Sequence, residues 1–312
     1  MNSLSVFFKY LHSFYHTAFK GWYFFIVVLM MSALLYVNYF QFPLSQKSIT
    51  YGHWGADFST SYFLYFTPFA AAFILQYFFF AHKAFFKNPW FIALVLLAPA
   101  FFALRVNMHL QQELVTRFVS GDALIAWNAC INWIVRAMLV IALVWIIWHI
   151  KDRHGEKFYG TASLPGSWKP YLLLLLMMVP LICIAATQPD FLHRYPRAQI
   201  LESLPIKYKT FTYLCYELAY GFDFISIEIF FRGFLIVAFM RLCGMQCIIP
   251  AACFYCCIHL GKPLGEAISS FFGGILLGLV SYHTKSIRGG LLIHLGIAWA
   301  MELAGLIAHR LA

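Results

Sequence analysis

Two charged residues and two histidines carry the chemistry of this sequence. Glu228 and Arg232 stand one helical turn apart inside the apolar run Phe224 to Ile236. An ionised side chain at bilayer depth costs about 2.5–3.5 kcal/mol even on the lenient insertion scale, so it is kept there only if it is paired, faces a cavity or works. Glutamate placed four residues before a cation is the favourable helical order, since both charges also sit well in the helix dipole. The pairing explains how the charges survive, and the histidines downstream, His259 and His294, give a reason for keeping them. A carboxylate sheltered from bulk water can take a proton from a water molecule, and an imidazole can share that proton or donate to the oxyanion formed on a peptide carbonyl. The set Glu228, Arg232, His259 and His294 suits hydrolysis by activated water without a covalent nucleophile. No Gly-x-Ser-x-Gly elbow supports a serine mechanism through Ser226.

The elements that must position these groups are membrane helices. The 312 residues are 62% hydrophobic, 20% aromatic and only 11% charged, with a mean hydropathy of +0.75, well outside the soluble range. Apolar runs at 22–40, 61–81, 90–104, 124–149, 171–187, 211–243, 247–260, 264–284 and 289–308 approach or exceed the roughly 20 residues a helix needs to cross the hydrocarbon. The third and seventh are short and the sixth is long, so an all-α, polytopic transmembrane bundle of eight or nine spans is expected. The runs are continuous, unlike the alternating segments of a porin-like barrel.

Lys9 and Lys20 precede the first run with no small-residue cleavage site after it, so that run is read as a retained anchor. The formal net charge is +10. Lys83, Lys87, Lys151, Arg153 and Lys157 join the N-terminal tail on one side if the first spans alternate, which predicts a cytoplasmic N-terminus by the positive-inside rule; the expected setting is a bacterial inner membrane. Arg194, Arg197, Lys207 and Lys209 depart from that pattern. Because the basic residues lie in short loops between spans, they indicate topology and anionic-lipid contact, not nucleic-acid binding. The expected partners are the lipid bilayer and a membrane-associated peptide or protein. Eight cysteines lie almost entirely within apolar runs, so no disulfide framework is expected. Cys253, Cys256, Cys257 and His259 offer zinc-type ligands, but buried thiols are ordinary small hydrophobes and a second cluster is missing, so no cofactor is expected.

Residues 1–165 read as scaffold helices in which Asn132 and Arg136 are the notable polar pair, bonded to each other or to a neighbouring helix. The connection Lys151 to Lys169, with Gly155, Gly160, Pro165 and Gly166, is the best internal boundary. Residues 166–208 hold the fifth span and a polar, proline-containing connection. In 209–312 the character changes: of twelve acidic residues, Glu217, Asp223, Glu228, Glu266 and Glu302 fall in or beside spans of this last third. Gly274 and Gly278 stand at the spacing that lets helices approach closely.

The run Ile227-Glu228-Ile-Phe-Phe-Arg232-Gly233, followed by Tyr255-Cys-Cys-Ile-His259 and then by Arg288-Gly-Gly-Leu-Leu-Ile-His294, resembles the CPBP family of intramembrane proteases, which includes CAAX prenyl endopeptidases and bacteriocin-processing or Abi proteins. The resemblance spans roughly 209–310. It implies a glutamate and the second-motif histidine activating water, with the third-motif histidine and an asparagine stabilising the oxyanion. The family motifs are Glu-Glu-x-x-x-Arg, Phe-x-x-x-His and His-x-x-x-Asn. Here the first glutamate is Ile227, the asparagine position is Ala298 and the phenylalanine is Tyr255. Two functions follow: an intramembrane endopeptidase using Glu228, His259, His294 and Arg232, or a protease-derived membrane scaffold or regulator that binds without cutting. A proton-coupled transporter would predict inverted repeats, and none is visible. If 247–260 and 289–308 cross as simple helices, His259 and His294 approach opposite faces. Their meeting with Glu228 therefore requires a broken, tilted or re-entrant span, with Pro250 and Pro263 as candidates.

Overall fold

The structure, a computed structural model, describes residues 5–44, 53–154, 157–164 and 166–311; the expected boundary residues Gly155 and Pro165 lie outside them. Helices account for the fold: α1 Ser5–Thr17, α2 Gly21–Tyr36, α3 Trp54–Phe79, α4 Pro89–Val106, α5 Leu110–Thr116, α6 Ala123–Lys151, α7 Lys169–Ala185, α8 Pro189–Arg194, α9 Lys209–Glu228, α10 Met240–Cys243, α11 Ile248–Cys257, α12 Leu264–Thr284 and α13 Arg288–Leu311. Among the described residues, seven helical stretches are long and apolar enough to cross a membrane, the multi-pass integral architecture that the composition implies. The number falls below the count of apolar runs for two reasons. Lys169–Ala185 has 17 residues, and the sixth and seventh runs form one stretch, Lys209–Cys257.

Local chemistry sets the ends. Pro89 opens α4, where it lacks only an N–H that has no helical partner anyway, and Asn88 caps the same turn by accepting from the Trp90 N–H at 2.9 Å. Gly244, at φ +59°, ends α10 in a conformation that side chains resist. Between α9 and α10 the chain is wound as a π-helix, Ile229–Ala238, and all ten of its residues are buried.

That π-helical section is the axis of the core. Phe230, Phe231 and Phe239 pack edge-on and tilted against Phe69, Phe102 and Phe254, so α3 and α4 wall the last third of the chain with aromatic rings. Gly274 and Gly278 bring α12 onto α11: a Cβ on Gly274 would stand 3.1 Å from that of Ala252, and one on Gly278 3.3 Å from Ile248. A second cluster, with Trp133, Leu201, Tyr216, Tyr220 and Ala298, joins α6, α9 and α13. Large apolar side chains such as Phe78, Leu176, Ile184 and Leu303 stay exposed on the outside, as a lipid-facing surface requires. Asn132 and Arg136 each reach out of α6, to the Gln111 amide at 2.5 Å and the Val106 carbonyl at 3.0 Å. Arg197 is half-buried, stacked over Trp133 and Tyr220, which is why this cation need not follow the loop-charge pattern.

Candidate active site

Glu228 closes α9, and the π-helical winding begins at the next residue. Wider i→i+5 turns of this kind recur at functional sites and change the register in which side chains stack. Arg232 Nε is consequently 3.8 Å from Glu228 Oε2, too far for a hydrogen bond. The close i,i+4 pairing expected of an α-helix is not made. Both residues are deeply buried, Glu228 fully and Arg232 to within 2%, yet Glu228 Oε2 and Arg232 Nε and Nη2 have no hydrogen-bond partner in the protein. Arg232 instead lays its guanidinium over the ring of Tyr255, 4.2 Å from the centroid, a cation–π contact that holds the charge in an apolar wall.

The other Glu228 oxygen is engaged. Oε1 lies 2.9 Å from His294 Nδ1, a carboxylate–imidazole contact of charge-assisted length. His294 Nε2 lies 3.0 Å from the Tyr255 hydroxyl, and Phe224 covers the imidazole edge-on at 4.6 Å. The approach of α13 depends on Gly290, where a Cβ would come within 2.6 Å of Glu228 Oε2. Tyr255 then joins the second histidine: its carbonyl oxygen is 2.8 Å from His259 Nδ1. A carbonyl can only accept, so Nδ1 carries the proton and Nε2 is the nitrogen left for chemistry.

The depth problem is solved by a short helix. α11 has ten residues, about 15 Å at 1.5 Å per residue, half of a crossing. Its C-terminal turn, Ile258 to Pro263, therefore ends within the bundle, with His259 packed edge-on against the Tyr255 ring at 4.6 Å. Pro250 stands in the first turn of α11 and breaks nothing, while Pro263 sets the extended residue before α12. The turn is tied down from three sides. Asn38 donates to the Leu260 carbonyl at 2.8 Å and Tyr39 to that of Lys262 at 2.6 Å. Lys262 Nζ bonds Glu266 and the Tyr195 hydroxyl, both at 2.9 Å, and Tyr195 donates to the other Glu266 oxygen at 2.9 Å.

Glu228, His294 and Arg232 thus come together around the Tyr255 side chain, while His259 packs on the Tyr255 ring at 4.6 Å without a bond to the other three. The other acids have separate employment. Asp223 takes Arg105 at 2.5 and 2.6 Å, and Glu302 accepts the backbone N–H groups of Arg197 and Ala198 at 2.8 and 3.4 Å. Ile227 and Ala298, at the two positions that depart from the motifs, are packed as apolar residues, the first in the aromatic core and the second against the Trp133 cluster. Tyr255, in the sequence only a replacement for the phenylalanine of the motif, is the residue at which these contacts join. The signal available was its spacing, four residues before His259, which puts it on the same helix face. For zinc, no three His, Cys, Asp or Glu side chains converge at metal-binding spacing among the described residues; Cys256 donates to the Ala267 carbonyl at 3.3 Å and His259 Nδ1 is committed to Tyr255.

No curated protein and no solved structure matches the chain. Residues 212–300 match the family model described as Rce1-like, type II CAAX prenyl endopeptidase. That segment contains Glu228, Arg232, Tyr255, His259 and His294 together, and the resemblance read from three short motifs extends to it as a whole. The match over residues 212–300 agrees with the resemblance to CAAX-type intramembrane proteases that the three motifs carry, and it is confined to the C-terminal core of this chain.

Proposed function

We propose that the chain is an intramembrane endopeptidase that hydrolyses a peptide bond in a membrane-associated peptide or protein, with water activated by Glu228 and His259. The observation that carries this reading is the divided use of the Glu228 carboxylate. Oε1 is held at 2.9 Å by His294, while Oε2 has no hydrogen-bond partner in the protein, so an oriented base has one oxygen open to a water. His259 supplies the second acceptor through Nε2. The water oxygen attacks the carbonyl carbon and gives its proton to Glu228. That proton passes to the departing amine nitrogen as the C–N bond breaks. Arg232, stacked on Tyr255 and 3.8 Å from Oε2, balances the charge of the carboxylate without occupying it. The basic residues Lys83, Lys87, Lys151, Arg153 and Lys157 favour a cytoplasmic N-terminus.

A second reading is a protease-like scaffold without turnover, favoured by Ile227 and Ala298, which put apolar groups where the related motifs carry a base and a donor. A cleavage assay with purified protein and a library of membrane-anchored peptides separates the two. Turnover in the parent that is lost in Glu228→Ala and His259→Ala supports the protease; no turnover in the parent, or equal turnover in all three proteins, supports the scaffold.

A further inference from the structure

The hydrogen-bond donor missing at Ala298 has a replacement in the structure. Ala298 lies one turn beyond His294 on α13, 5% exposed, and faces the cluster of Trp133, Tyr216 and Tyr220; no polar group reaches His294 from that position. The Tyr255 hydroxyl does, from the opposite side, at 3.0 Å from Nε2. Its ring is held by the Arg232 guanidinium at 4.2 Å, and its own carbonyl holds His259. Tyr255 is 5% exposed, so its hydroxyl is aimed by packing. We propose that Tyr255 is a catalytic hydrogen-bond donor that stabilises the oxyanion in place of the missing side chain at 298, an inference that rests on the peptidase reading above.

The geometry supplies the means. Glu228, His294 and Tyr255 form a line in which a carboxylate holds one imidazole nitrogen and a phenol meets the other. With His294 as imidazolium, Nδ1–H donates to Glu228 and Nε2–H to the phenolic oxygen. The Tyr255 O–H is then the one proton of the line not already donated. It is free to meet the negative oxygen that develops when water adds to the carbonyl, in a buried site where such a bond is worth most. Nearby Arg232 Nε and Nη2, also without hydrogen-bond partners, add positive potential on the same side of the ring. The residue that differs from the phenylalanine of the related motif thus makes up for the residue that differs from its asparagine.

The test is steady-state kinetics on a cleaved membrane peptide with the parent, Y255F and Y255F/A298N. Removing one oxyanion donor lowers kcat by about 100-fold, so Y255F is expected to lose kcat on that scale with KM within about twofold. Y255F/A298N, which moves the donor to the other position, is expected to regain about tenfold or more. A Y255F kcat within about threefold of the parent, or a loss carried by KM, overturns the inference while leaving the peptidase reading intact. A parent without turnover overturns both. Should Asn fail to fit at 298, 3-fluorotyrosine at 255 decides: a more acidic phenol is a stronger donor and raises kcat, and an unchanged kcat overturns the inference.

Discussion

Two of the arginine–carboxylate pairs among the described residues, both largely buried, are built differently. Arg105 and Asp223 come from different helices, 118 residues apart, and meet at 2.5 and 2.6 Å through one guanidinium nitrogen and both carboxylate oxygens. Arg232 and Glu228 are neighbours on one helix, yet stand 3.8 Å apart with three of their polar atoms lacking hydrogen-bond partners. Proximity in sequence should have favoured the second pair. A buried polar atom left without a partner costs about 1–3 kcal/mol, so the open arrangement is the expensive one. The closed pair fastens α4 to α9. The open pair leaves a carboxylate oxygen and two guanidinium nitrogens without protein hydrogen bonds, which is what the proposed site requires and a fastener does not.

The comparison can be broken most directly at Glu228. Glu228→Gln keeps size and removes the base, and turnover of a membrane peptide is expected to fall by about 10³-fold or more, the upper range of general-base catalysis; a loss below about tenfold would return Glu228 to the role of Asp223. Next comes Arg105→Ala, which strands Asp223 and is expected to cost about 3–5 kcal/mol of stability, read by denaturant unfolding in detergent, while kcat per folded molecule stays within about threefold. A double-mutant cycle sharpens the contrast further: the Arg105–Asp223 coupling should exceed about 2 kcal/mol and the Arg232–Glu228 coupling fall below about 1 kcal/mol. The smallest effect on stability belongs to Gly290→Ala. Its new Cβ would meet the flexible end of Glu228 at 2.6 Å, so unfolding should shift by less than about 1 kcal/mol while turnover drops about 10- to 100-fold, because a displaced base loses its aim.

Much of this was legible in the residues. The apolar runs gave the helices, and the concentration of acids and histidines after residue 209 gave the region of the site. Two things were not legible, for physical reasons. The 3.8 Å gap depends on π-helical winding from Ile229 to Ala238, and a sequence of Ile, Phe, Leu and Val reads equally well as α-helix, because the winding is imposed by packing and not by local propensity. The hydroxyl of Tyr255 reaches His294 across 39 residues of chain, and a contact of that kind belongs to tertiary structure. The approach of His259 to the site was predictable only as a requirement for irregularity, and the structure brings it to the Tyr255 ring. The irregularity proved to be the brevity of α11, not a break at Pro250.

The loop before α7 has a mechanical consequence. A Cβ on Gly233, in the middle of the π-helical section, would come within 2.8 Å of the Tyr159 carbonyl oxygen, so the loop lies directly against the off-pitch backbone. Tyr159 is itself fastened: its hydroxyl donates to Asp152, which also takes Arg241 from α10, the helix that follows this section, at 2.5 Å. Burial and the bond to Asp152 hold the Tyr159 phenol well above its ordinary pKa, so it stays a donor at any working pH. The loop therefore serves as a splint, lying against the wound segment at its middle and, through Asp152, holding the short helix α10 that follows it. The pitch that separates Glu228 from Arg232 is braced from outside the motifs, so a ligand, a cut or a pull at residues 157–164 would act on the site through torsion of the helix, with no contact to any of its side chains.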